Sequence, residues 1–111
     1  MDIQTFIQDW LAAGNAYDID LYLKQYHKDA VLDDPSVGRS FVGHKGIRKY
    51  FEDYFIGYKT QTRLVTLEII SKAKAHIEVE FTGAFPEGKI GGRFDFTFKE
   101  GKILSVKADL L

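Results

Sequence analysis

The chain has 111 residues, a length that suits one domain and hardly permits two. Hydrophobic residues make up 45% of it and aromatics 14%, enough to fill a core or to wall an apolar cavity. Fifteen basic against sixteen acidic side chains exclude the basic excess of a nucleic-acid binder, and the lack of cysteine excludes disulfides and thiolate metal sites.

Ile3, Phe6, Ile7, Trp10 and Leu11 recur at i, i+3, i+4, i+7 and i+8, the stripe of an amphipathic helix. Asp2 is placed to cap it and Gly14-Asn15 to end it. This acidic start is unlike a secretory or transit signal, and no apolar run approaches the ~20 residues of a membrane span. The expectation is a soluble, cytoplasmic protein without a membrane partner. "DIDLYLKQY" predicts a second short helix, capped by Asp18 or Asp20, with Leu21, Leu23 and Tyr26 on its buried side. "DAVLDD" reads as a short strand stopped by Pro35, and "SVGRSFVG" as a loop with a small strand near Phe41. "HKGIRKYFEDYFIGY" predicts a third helix with Ile47, Phe51, Tyr54, Phe55 and Tyr58 as its apolar stripe and Gly57 weakening its end.

From Thr60 the period changes to two. "TRLVTLEII", "KAHIEVEFTGAF", "KIGGRFDFTFK" and "KILSVKADLL" predict four strands separated by "SKAK", "PEG" and "EG". Phe94, Phe96 and Phe98 share one face, while Arg93, Asp95 and Thr97 share the other. One apolar and one polar face imply an antiparallel sheet covered on one side, hence an α+β domain with helices packed on the apolar face. The three glycines of "GKIGGR" join no strand to a helix, so they form no phosphate cradle and instead mark a bulge or bend.

Strand alternation raises a question at Asp33-Asp34-Pro35. If Ala30 and Leu32 face the core, Asp34 is directed inward and Asp33 toward solvent. Apolar surroundings disfavour the charged form of a carboxyl group, which suits it to general-base work. Asp34 has a plainer use as well, capping the turn with Pro35 and Ser36, and from local sequence alone that use weighs more. The three histidines fall on separate elements without HxH or HxxxH spacing, so no metal site is expected. His27 suits the end of the second helix, His44 the start of the third near a pocket mouth, and His76 the polar face of its strand.

The order of three helices, the "YHKDAVLDDP" strand, the "VGHKGIRKYF" helix start and a four-stranded meander resembles the nuclear transport factor 2-like superfamily. Its nearest members are ketosteroid isomerase and the SnoaL-like polyketide cyclases, and the resemblance covers nearly the whole of 1–111 as a single domain. It implies a cone-shaped curved antiparallel sheet wrapped around the three N-terminal helices, an apolar pocket, a homodimer and no cofactor. Asp34 matches the isomerase's proton-shuttling Asp before Pro. That enzyme pairs its Asp base with an oxyanion hole of a Tyr and a protonated Asp. Here Trp10 and Phe94 stand at those two donor positions, which argues against efficient steroid isomerisation, since one lost donor costs about 2.7–4 kcal/mol of barrier. Tyr26 and Tyr54 are the first candidates for a substitute hydroxyl. The expected pocket wall is Trp10, Tyr26, Leu32, Phe51, Tyr54, Phe81, Phe94 and Phe96, around a small apolar carbonyl-type ligand. The two functional readings are an isomerase- or cyclase-like enzyme using Asp34 and a non-catalytic ligand-binding or protein-interaction domain.

Overall fold

Asp2 caps the first helix, its Oδ1 accepting the Thr5 N–H at 3.1 Å. Helix α1 then runs Ile3–Asn15 in this computed structural model, which describes residues 1–111. Asp18 caps α2, Ile19–Lys24, through the Leu21 N–H at 3.1 Å. That cap fixes a frame in which Tyr22 and Leu23 are buried and Leu21 is exposed, which corrects the predicted buried side. Tyr26 belongs to the next element, because the chain is already extended there. Strand β1 spans Tyr26–Asp34 and β2 spans Arg39–Val42. Helix α3, Gly43–Phe51, continues into one π-helical turn over Glu52–Ile56, closed by the Gly57 N–H on the Glu52 carbonyl at 2.9 Å. Strands β3 (Gln61–Ser71), β4 (Lys74–Thr82), β5 (Lys89–Lys99) and β6 (Lys102–Leu110) complete the chain. No helix is long and apolar enough to cross a membrane.

The six strands form one sheet in the order β2-β1-β6-β5-β4-β3. Every neighbouring pair is antiparallel except β1 and β6, which run parallel and correct the fully antiparallel expectation. The connection through β2, α3 and the meander brings β6 back alongside β1 in the same direction, which no local pattern encodes. Register breaks in β1 and β3 bend the sheet, leaving it curved and open.

The helices cover one face only. On that face Trp10 meets Phe94 and Phe96 edge-on, with ring centroids 4.9 and 5.2 Å apart. Phe96 stacks on Phe98, and Ile77, Val79 and Val106 fill the floor beside them. The other face is polar. There His76 sits between Asp95, whose Oδ1 lies 2.6 Å from His76 Nδ1, and Glu78 at 3.7 Å. The hydrogen bond to Asp95 raises the His76 pKa above its ordinary 6.5. His27 lies in β1 rather than at a helix end, its Nδ1 accepting the Asp29 N–H at 3.1 Å. His44 begins α3 as expected, but its Nε2–H donates to the Tyr26 carbonyl at 2.8 Å, a bond that ties α3 to β1.

Candidate functional site

Strand phase decides where Asp34 points. Ala30, Leu32 and Asp34 are buried on the helix-covered face, whereas Val31 and Asp33 alternate to the outside. Pro35 ends the strand, so Asp34 stands at the open end of the sheet, only 5% exposed. Asp34 caps the turn as anticipated and also faces inward. Asp34 Oδ1 accepts the Ser36 N–H at 2.9 Å and the Ser36 hydroxyl at 2.5 Å, which makes the turn. Its Oδ2 accepts the Tyr50 hydroxyl at 3.0 Å across the buried gap to α3. A carboxylate offers about four acceptor positions, and these three bonds leave one.

Asp34 lies on the wall of a cavity of about 220 Å³. Helix α3 and its π-turn supply Tyr50, Tyr54 and Phe55, with Tyr58 just beyond. The sheet supplies Phe81, Ile90 and Phe94, and the β4–β5 loop supplies Phe85. Glu87 and Asp109 complete the charged lining. Tyr50 is held in place by rings on several sides, with Phe41, Tyr54 and Phe55 at centroid distances of 5.0, 5.4 and 5.9 Å. Burial first, and then the Asp34 carboxyl beside it, push the Tyr50 pKa well above 10, so Tyr50 stays protonated and donates. The Tyr54 hydroxyl makes no hydrogen bond within the chain and is open to a guest; only its backbone carbonyl is engaged, by the Thr60 hydroxyl at 2.9 Å.

Of the side chains expected at the pocket, Asp34, Tyr54, Phe81 and Phe94 meet around this cavity. Trp10, Tyr26, Leu32, Phe51 and Phe96 do not line it; all five are buried in the packed core. The cause is a filled interior. Tyr22 from α2 occupies the centre, stacked on Phe51 at 4.2 Å, and the Trp10 Nε1–H is spent on the Tyr26 hydroxyl at 3.2 Å. Tyr26 donates in turn to the Tyr22 hydroxyl at 2.8 Å. Burial pushes the Tyr26 pKa up to about 12 and that of Tyr22 well above 10. His44 also stands away from the cavity lining.

Ser36 was placed in the Asp34 turn by the sequence reading, but Tyr50 was missed. Tyr50 lies three residues after Ile47 and so belongs to the apolar stripe of α3, but the stripe alone does not say which ring reaches Asp34. No group of three or more His, Asp or Glu side chains is arranged to hold a metal ion. The site can therefore offer a carboxylate base, phenolic donors and an apolar wall.

The sequence matches the SnoaL-like domain family over residues 7–106. No curated protein matches the chain. Among solved structures it is similar to protein SMa1630 of Sinorhizobium meliloti, provisionally named a polyketide cyclase, at 19% identity and TM-score 0.85 over 94% of this chain and 93% of that one. It is also similar to SalBIII, an epoxide hydrolase/cyclase-like enzyme of pyran ring formation in salinomycin, at 18% identity and TM-score 0.85 over 97% and 89%. A third likeness is to RV0760c of Mycobacterium tuberculosis, solved in complex with estradiol-17beta-hemisuccinate, at 13% identity and TM-score 0.81 over 95% and 90%. At these identities the likeness is one of fold.

Proposed function

The chain belongs to the SnoaL-like domain family of the nuclear transport factor 2-like superfamily, and from that premise we propose that it is a small-molecule protein in which Asp34 acts as a general base on an apolar ligand. The observation that carries this reading is a carboxyl group, oriented by Ser36 and Tyr50, on the wall of an aromatic cavity. In the reaction Asp34 takes a proton from a carbon beside a carbonyl. The C–H bond breaks, its electron pair moves toward the carbonyl oxygen, and the proton rests on an Asp34 oxygen until it is returned. The hydroxyl of Tyr54 is the donor suited to meet the developing oxyanion, since that of Tyr50 is committed to Asp34. Steroid isomerisation by the isomerase's own donor pair is not part of the proposal, because Phe94 lines the cavity without a donor and Trp10 donates to Tyr26.

The test is deuterium exchange at the α-carbon of a panel of apolar ketones, followed by NMR with the wild-type chain and with Asp34→Asn. Faster exchange that falls at least a hundredfold in the variant supports the base role. Equal exchange by both proteins overturns it. The non-catalytic reading is favoured by one observation, the absence of a paired oxyanion hole in the cavity lining. Ketone-dependent thermal stabilisation without any exchange would select that reading.

A further inference from the structure

The charged lining of the cavity has one sign. Asp34, Glu87 and Asp109 are its ionisable acids, and none of its 16 lining residues is Lys, Arg or His. Arg93 is 3.6 Å from Asp109, Lys89 is 3.7 Å from Glu80, and the Arg39 guanidinium lies 4.5 Å above the Phe41 ring. Arg93 offsets one of the three acids, which leaves Asp34 inside and Glu87 exposed at the rim without an ion pair. Tyr50 and Ser36 hold Asp34 with neutral donors, so they bring no compensating charge. Tyr54, Tyr58 and Phe85 line the same cavity.

We infer that the cavity selects a cationic ligand: an amine or quaternary ammonium compound with an apolar body, its charged end at the Glu87 rim among the rings. Aromatic faces attract cations through the ring quadrupole, and the unpaired Glu87 carboxylate at the rim adds a solvent-screened Coulomb attraction of the same sense. Carboxylate and phosphate ligands meet repulsion from the same groups. A cation at the rim leaves the inner end of the ligand facing Asp34, so a tertiary amino ketone fits both the charge pattern and the base. This inference rests on the reading of the cavity as a ligand site and adds the charge of the ligand.

The experiment compares three cyclohexyl compounds of similar size by titration calorimetry: cyclohexyltrimethylammonium, cyclohexyl methyl ketone and cyclohexanecarboxylate. The cation is expected to bind about tenfold more tightly than the ketone, from one exposed-site cation–π contact plus one screened charge pair. The carboxylate is expected to bind most weakly. Glu87→Gln should narrow the cation-to-ketone ratio several-fold, and raising the salt concentration should narrow it further. Glu87 is exposed, so the variant is not expected to disturb folding. If the ketone binds as well as or better than the cation, the charge inference is overturned while the ligand-site reading stands. If none of the three binds, both are overturned.

Discussion

At the scale of single residues, the site depends on one hydrogen bond between elements far apart in sequence. Tyr50 on α3 donates to Asp34 at the end of β1, and both are buried. Tyr50→Phe keeps the ring and its packing but leaves Asp34 Oδ2 without its donor. A buried acceptor left unsatisfied costs about 1–3 kcal/mol, so urea unfolding should show a loss in that range. The same variant should slow any Asp34-dependent proton exchange, because the carboxyl group is then fixed from the Ser36 side alone. A Tyr50→Phe protein with unchanged stability and unchanged exchange would remove Tyr50 from the site. The inward phase of Asp34 was readable from Ala30 and Leu32, four and two residues earlier, because a strand keeps its alternation until proline stops it. Its partner was not, since no local pattern says which turn of α3 crosses the end of β1. The pocket wall was readable only in part, three of its eight expected residues lining the cavity, for a related reason. Phe81 and Phe94 line the cavity, whereas Phe96, two residues further along β5 and stacked on Phe98, does not, and depth along a strand is set by the helices that cover it.

At the scale of elements, β5 makes room for the cavity wall. A Cβ on Gly92 would lie 2.2 Å from Cε2 of Phe81, so the Phe81 ring rests directly on the glycine backbone of the neighbouring strand. Gly92→Ala therefore displaces Phe81 toward the cavity or forces β4 and β5 apart, and overpacking of this kind costs about 1–3 kcal/mol. The expected outcome is a lower midpoint in thermal unfolding and weaker binding of whatever ligand the cavity takes. Wild-type stability in Gly92→Ala would show that the ring moves aside freely. No bulge forms at "GKIGGR", where β5 keeps its register with both neighbours; what Gly92 provides instead is room for a ring from β4, which the strand pattern did not show. The meander was readable throughout because its alternation continues over four strands. The π-turn was not. Its i→i+5 bond at Gly57 inserts one residue into the helical repeat, and the stripe Ile47, Phe51, Phe55 runs into it without a visible change. The consequence is local and functional, since Tyr54, Phe55 and Tyr58 all reach the cavity from this segment.

At the scale of the whole molecule, helices on one face of a sheet were foreseeable from the change of period at Thr60 and its curvature from the family resemblance, whereas the parallel β1–β6 contact required the crossover to be seen. The closed interior has a consequence for folding stability at high pH. Tyr22, Tyr26 and Tyr50 are held above the ordinary tyrosine value of 10, chiefly by burial, and Tyr26 is pushed up to about 12. In the unfolded chain these phenols lose their protons near pH 10; in the folded chain they keep them. Above pH 10 the unfolded state therefore binds fewer protons than the native state, and stability falls as pH rises. The contribution is fully present below pH 10 and is lost upward through the folded values. Each proton retained by the folded chain but lost by the unfolded one steepens the fall, and for Tyr26 the loss runs from about pH 10 up to about 12. Urea unfolding at intervals across that window measures the slope directly. Tyr50→Phe removes one of the three phenols and should reduce the slope by about a third, whatever its effect at neutral pH. A slope unaltered by that substitution would mean that Tyr50 ionises in the folded state as it does in the unfolded one, and would overturn the argument from its burial against Asp34.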